Sequence, residues 1–420
     1  MTVRLFRNVS LVTPVDHGKP SAGERQRDVV RHSPGAMLVA DGLIVAAGAE
    51  RDVLTRAREF RVDMEVDGGG RCCVPGFVDP HTHACFAKTR ESEFSLRLSG
   101  VPYLEILKQG GGILSSVRAV RSATDDELFA VTRANAMRAL ASGTTTMEMK
   151  SGYGLDTASE LRMLAVIDRV RRETPLDVAI TFMGAHAVPE EFRGSPDAYV
   201  DLLVQAMIPA AADQGLAGYC DVFCEEGVFS VAQSRRILEA GKKAGLRPRV
   251  HADEVHDTGG AALAAEVGAV SAEHLLAAGD AGLDAMARAG VVANLLPATA
   301  YSLRKPYARA RFMIERGLPV AVATDCNPGS CYCESMPFVF GLSVMQMGLT
   351  VEEALTAATL NAAYAIALAG RVGSLEPGKQ ADFLLLDGET PAAIAYHAGG
   401  SVVDEVYKLG ERVATRGACC

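Results

Sequence analysis

Asp79, His81 and His83 stand at alternate positions within VPGFVDPHTHACF, residues 74–86. Side chains alternate faces along a strand, so one side of this segment would present a carboxylate and two imidazoles in a row. Neutral imidazole and carboxylate are ligands of hydrolytic metal ions, and a site with an open position turns bound water into a nucleophile near neutral pH. Hydrolysis of an amide-like C–N bond is the chemistry such a row serves.

The chain has nine histidines. Five of them, His81, His83, His186, His251 and His274, fall near the ends of strand-like runs, and Asp325 ends another. A single histidine in an apolar run is ordinarily a hydrogen-bonded core residue. Five imidazoles and a carboxylate converging on one mouth are instead what a metal centre needs. Glu254, three residues beyond His251, is spaced to relay protons, and His274 to orient water or a carbonyl. His256 receives no role.

Convergence requires a scaffold that brings strand ends together. Strand-like runs end near residues 77–83, 144–150, 178–186, 219–226, 247–254, 269–275, 291–297 and 319–325. Between them lie amphipathic stretches such as TASELRMLAVIDRVRRET and SVAQSRRILEAGKKAG, each closed by a glycine or a polar turn. Eight such units over residues 75–368 predict a (β/α)8 barrel of parallel strands, in which reactive groups gather at the C-terminal strand ends. The two ends of the chain, with AMLVADGLIVAAGA and then KQADFLLLDG and VVDEVYKLGERVATRG, read as strands and turns without helices. Residues 1–74 and 369–420 are expected to pair into a small β-sandwich flanking the barrel.

With 49% hydrophobic and 22% charged residues, the composition is that of a globular protein. The net charge of −9 and the lack of a basic run argue against nucleic acid or an anionic membrane surface as partner. No secretory signal or membrane-length apolar run is found, so a cytoplasmic location is expected. Ten cysteines form no CxxC pair and mostly lie in apolar runs, as small buried hydrophobes do. Cys331, Cys333, Cys419 and Cys420 would be open to oxidation only if exposed.

The segments PGFVDPHTH, HADE, SAEHL and ATD in this order, with GSLEPGKQADFLLLD near the C-terminus, resemble the amidohydrolase superfamily across nearly the whole chain. The resemblance implies a metal-bearing distorted barrel with a β-sandwich built from both termini. ESEFSLRLSGVPYLEILKQGGGI (91–113), TTTMEMKSGYGL, MGAHAVPEEF and ATDCNPGS resemble, more narrowly, the branch of histidine degradation. That branch opens the ring of 4-imidazolone-5-propanoate with water to give N-formimidoyl-L-glutamate.

Carried over motif by motif, the resemblance implies His81, His83, His251 and Asp325 as ligands of one zinc or iron ion. One ion is expected because the fourth strand ends CEEG without a lysine, and Lys150 ends the second instead. Substrate contacts would be Arg90, Tyr153, His186, Glu254 and Ser330, with Asn327 and Gly329 for the product. Glu254, His274 and Asp325 would be catalytic, and the family suggests a homodimer. A guanidinium matches a carboxylate tail with two parallel hydrogen bonds, which suits Arg90, although pairing with Glu91 or Glu93 is the plainer reading of that residue alone. A deaminase of a heterocyclic base on the same scaffold, or a non-catalytic binding barrel, are the alternatives.

Overall fold

The computed structural model describes residues 2–100, 105, 111–416 and 418–419. Most of the stretch 101–110, including the first glycine of Gly110–Gly112, therefore lies outside the described residues, as does Cys420. Eight parallel strands follow one another in space as they do in the chain. They are β1 (Phe77–Asp79), β2 (Thr144–Lys150), β3 (Asp177–Ala185), β4 (Tyr219–Cys224), β5 (Arg247–Ala252), β6 (Ser271–His274), β7 (Val292–Leu295) and β8 (Val320–Val322). All eight coincide with the strand-like runs read from the sequence.

Closure occurs where the chemistry was expected. Beyond β1, Thr82 bridges Cys326 in parallel, the His83 amide donates to the Cys326 carbonyl at 2.9 Å, and the Asp325 amide donates to the His81 carbonyl at 3.1 Å. The first and last strands are thus laced together by the residues that carry the candidate ligands. Asp79 adds a tie: its carboxylate accepts from the Thr324 amide at 3.1 Å and the Thr324 hydroxyl at 2.5 Å. Asp79 is therefore a structural link between β1 and β8 and does not join the row of donors that alternation alone suggested.

The helices between strands begin where their sequences supply caps. Thr124 with Glu127, Ser230 with Gln233 and Thr350 with Glu353 each form reciprocal capping boxes, and Asp156 caps Thr157–Glu173. Such caps satisfy amides that a helix start leaves without partners. The apolar faces of these helices and the outer faces of the strands form one large buried cluster that includes Phe182, Val222, Val250, Leu164 and Ile237.

Strands from both ends of the chain meet in a second, nine-stranded mixed sheet. Cys72–Pro75 runs parallel to Val3–Pro14 and antiparallel to Phe383–Leu386, so it joins the N-terminal strands to the C-terminal ones. The sheet rolls over on itself. Phe6 and Tyr407 lie on strands three positions apart, yet their ring centroids are 5.3 Å apart, whereas neighbouring strands alone are separated by about 4.8 Å. Phe6, Phe383, Tyr407, Met37 and Leu11 fill the inside of this roll. Cys72, Cys73, Cys85, Cys220, Cys224, Cys326, Cys331 and Cys333 are free thiols, and all of these but the partly exposed Cys333 are buried, as expected of small hydrophobes.

Candidate active site

His81 and His83 project into the barrel mouth from the segment following β1, His251 from β5, His274 from the end of β6 and Asp325 from just beyond β8. All five are at least 97% buried. The ring centroids of His81 lie 5.3 Å from His83, 4.5 Å from His251 and 5.7 Å from His274. Asp325 Oδ1 is 3.6 Å from His81 Nε2 and 3.9 Å from His83 Nε2, while its Oδ2 accepts from the Thr299 hydroxyl at 2.5 Å. Asp325 and His274 both take left-handed backbone, with φ of 53° and 69°. That region is open mainly to glycine and tolerated by aspartate and histidine better than by most residues, and strain of this kind gathers at functional sites.

The donor atoms suit a cation. Neither ring nitrogen of His81 has a hydrogen-bond partner, and the Nδ1 atoms of His83 and His274 are likewise orphaned although buried. Orphaned buried polar atoms are costly unless something binds them. His251 Nδ1 faces Asp221 Oδ1 at 3.1 Å, which places the ring proton there and leaves the Nε2 lone pair pointing at His83 Nε2, 3.2 Å away. Two nitrogens on one tetrahedral ion at ~2.0–2.1 Å would stand ~3.3 Å apart. His81, His83 and Asp325, and separately His81, His251 and His274, each offer three donor atoms within 4.8 Å of one another. Burial holds the imidazoles neutral: His81 and His83 are driven well below their usual value, and His251 falls to about 3.

Glu254 follows β5, and its Oε2 lies 3.6 Å from His274 Nε2. Burial, reinforced by the nearby Glu225 carboxylate, pushes Glu254 up to about 7. Burial also raises Asp325, to about 6, against the pull of His274. A cavity of about 240 Å³ opens beside them, lined by Glu254, His274, Thr299 and Lys305. A carboxyl that holds its proton near neutrality beside an open cavity is equipped to donate it.

The remaining sequence candidates line the other side of the mouth. His186 stacks on His83 with centroids 4.6 Å apart and faces the Gly152 carbonyl through Nδ1 at 3.0 Å. Tyr153 lies 5.9 Å from His83 and 5.2 Å from His186, centroid to centroid. Arg90 lies over Gly329, where an added Cβ would come within 2.5 Å of its Nη1, and its guanidinium pairs with Glu93 at 2.9 Å. The plainer reading of Arg90 therefore holds for its partner, while its position puts the cation beside the loop 327–330. Asn327 Oδ1 accepts from the amides of Gly329 and Ser330 at 2.9 and 2.7 Å, and its Nδ2 donates to the Asp325 carbonyl at 2.7 Å. Both ends of that side chain are spent on shaping the loop, and the Ser330 hydroxyl also turns toward Asn327.

Sequence reasoning missed the residues that hold these groups. Glu160 accepts from the amides of Gly152, Gly154 and Leu155 and so sets the turn that carries Tyr153. Glu225 accepts from the Val255 amide at 2.9 Å and from His256 Nδ1 at 3.1 Å, fixing the loop that carries Glu254. Inside the barrel, Glu148, Lys150, Asp221, Arg249 and Glu273 are all fully buried. Charged residues at alternate positions of apolar strands, as in Glu148 and Lys150 or Arg249 and His251, were the available signal.

Residues 73–413 match the model of the amidohydrolase family. An imidazolonepropionase of Syntrophobacter fumaroxidans is 64% identical over 97% of this chain and 96% of its own length. One from Symbiobacterium thermophilum is 52% identical over 95% of both chains. The fold also resembles a zinc-bound adenosine deaminase of Xanthomonas campestris, with a TM-score of 0.72 and 18% identity over 99% of this chain and 94% of that one. The E. coli guanine deaminase gives 0.73 and 14% over 99% and 100%. At such low identity these two show the fold alone. With a whole-chain match to curated relatives and a barrel mouth furnished with His81, His83, His251 and Asp325, the chain belongs to the imidazolonepropionase branch of the amidohydrolase family.

Proposed function

We propose that this chain is a metal-dependent hydrolase that opens the ring of 4-imidazolone-5-propanoate with water to give N-formimidoyl-L-glutamate. The observation that carries this reading is the 64% identity to an imidazolonepropionase over 97% of the chain, joined to a mouth whose orphaned imidazole nitrogens fit a cation. His81, His83, His251 and Asp325 would hold one divalent ion, zinc or iron, since imidazole and carboxylate suit both. Bound there, such an ion lowers the pKa of water to around 7 and polarises a carbonyl.

The chain's own residues divide the remaining work. Arg90 meets the propionate tail, with Tyr153, Ser330 and the amides near Gly329 completing a polar wall; Asn327 keeps that wall in shape. His186 closes the side next to His83. Asp325 and His274 accept the proton of the attacking water. The new C–O bond forms at the ring carbonyl carbon, the C–N bond to the ring nitrogen breaks, and Glu254 delivers a proton to that nitrogen.

The division into residues 1–74, 75–368 and 369–420, a homodimeric state and a cytoplasmic location complete the proposal. Free thiols at the eight cysteines from Cys72 to Cys333 suit a reducing compartment, and no helix among the described residues is long and apolar enough to cross a membrane. The deciding experiment follows the loss of imidazolone ultraviolet absorbance with the purified protein, before and after chelation and metal return. Metal-dependent loss with N-formimidoyl-glutamate as product is expected. A metal-loaded protein inert toward the imidazolone, but releasing ammonia from heterocyclic bases, would overturn the assignment in favour of a deaminase.

A further inference from the structure

Beneath the candidate ligands lies a layer of buried charge that the mechanism above does not use. Lys150 Nζ sits 2.7 Å from Glu148 Oε1 and 2.8 Å from Asp221 Oδ2, and all three side chains are fully buried. Each carboxylate also reaches a different part of the metal centre. Glu148 Oε2 accepts from the Thr82 amide at 3.1 Å, and the Thr82 hydroxyl donates back to the Glu148 carbonyl at 2.7 Å. Thr82 is the residue between His81 and His83. The Lys150 amide donates to the Thr82 carbonyl at 3.1 Å, so β2 grips this segment through both main chain and side chain. On the other side Asp221, on β4, receives His251 Nδ1 at 3.1 Å.

We propose that Glu148, Lys150 and Asp221 form a buried bridge that positions the His81–His83 segment and His251 relative to each other, and thereby sets how tightly the centre holds its cation. The inference rests on the metal-centred reading above and adds positioning residues to it. One ammonium is shared by two carboxylates, and each carboxylate supports a different group of ligands. A neutral hydrogen-bonded contact would hold His251 less firmly, because bonds to charged groups are shorter and roughly twice as strong. The partner of a ligating imidazole fixes its ring orientation and tautomer. Arg249 and Glu273 pair with each other at 2.9 Å in the same layer. Asp221, His251 and Glu273 also cluster as donors, but with Lys150 on Asp221 and Arg249 on Glu273 both carboxylates already have cationic partners.

The test compares two triple variants, because removing Lys150 while either carboxylate remains would leave an uncompensated buried charge. Glu148→Gln/Lys150→Met/Asp221→Ala deletes the bridge and the acceptor for His251, whereas Glu148→Gln/Lys150→Met/Asp221→Asn deletes the three charges and keeps an acceptor oxygen. Zinc(II) affinity of each folded protein is measured by chelator competition, without reference to turnover. The alanine variant is expected to bind zinc(II) at least ~10-fold more weakly than the unaltered protein, and the asparagine variant to fall between the two. Wild-type affinity in either variant, or equal affinity in the two variants, overturns the proposal. If the unaltered protein binds no zinc(II) or iron(II), the metal-centred reading itself falls, which separates the two failures.

Discussion

Glu254 Oε2 and His274 Nε2 face each other across 3.6 Å at the ends of adjacent strands. Burial moves the two groups in opposite senses, raising the carboxyl to about 7 and lowering the imidazole. Glu254 therefore holds a proton close to neutrality, with His274 uncharged. This assigns the donor role to the carboxyl and the acceptor role to the ring, as the proposed C–N cleavage requires. Replacement Glu254→Gln should lower kcat by ~10²-fold or more, the usual loss for a general acid, with metal content unchanged. Near-normal turnover would remove Glu254 from the scheme.

The same carboxyl predicts a pH limb. A proton donor works only while protonated, and Glu254 holds its proton up to about 7. Activity carried by this group is thus complete below that pH and is lost as pH rises through it. Measured kcat should fall on the alkaline side with an apparent value near 7, and Glu254→Gln, which cannot titrate, should lack that limb in its residual activity. The Glu225 charge raises Glu254 further, so Glu225→Gln should move the limb to lower pH.

Metal removal tests the donor set directly. Asp325 is held by Thr299 and faces both His81 and His83, so Asp325→Ala removes the carboxylate and leaves the two rings without it. The variant should lose most of its bound metal by elemental analysis, and activity with it. Chelation of the unaltered protein should also lower its melting temperature by several degrees. An ion present at a thousandfold excess over its Kd, and absent from the unfolded chain, contributes about 4 kcal/mol.

The candidate donors were legible in the sequence because burying a polar side chain at the end of a short apolar strand is costly unless a partner or a bound ion satisfies it. His81, His83, His251, His274 and Asp325 all stand at such positions, at the ends of four of the eight strands. Asp79 passed the same test and failed in the structure, since its carboxylate is spent on Thr324. Alternation gives a face but no partner. Asp221 and Glu148 escaped for a related reason: each sits inside a strand rather than at its end, and only the packing of side chains inside the closed barrel reveals that one lysine links them. Glu160 and Glu225 work by accepting backbone amides across loops. Such bonds leave no periodic trace.

Arg90 should govern substrate binding more than chemistry. Its guanidinium is already fixed by Glu93, which also accepts from the Gly112 amide and the Ser115 hydroxyl at 3.2 Å. A pre-oriented cation gives up little freedom on meeting a carboxylate tail. A hydrogen bond to a charged group is worth about 1.5–3 kcal/mol, so Arg90→Gln should raise KM for the imidazolone by ~10-fold or more while kcat changes by only a few-fold. An unchanged KM would move the tail elsewhere in the mouth.

Gly329 offers a second route to the same contact. A Cβ added there would meet Arg90 Nη1 at 2.5 Å and Cζ at 2.7 Å, while the backbone of Gly329 is outside the left-handed region. Alanine therefore fits the chain conformation and collides only with the far end of a long side chain that can turn away. Gly329→Ala should leave the melting temperature nearly unchanged and raise KM in the same direction as Arg90→Gln. Because both substitutions act through one guanidinium, their effects on KM should fail to add when combined, as neighbours sharing one interaction do. Full additivity in the double variant would mean that Gly329 affects substrate through its own backbone and not through Arg90.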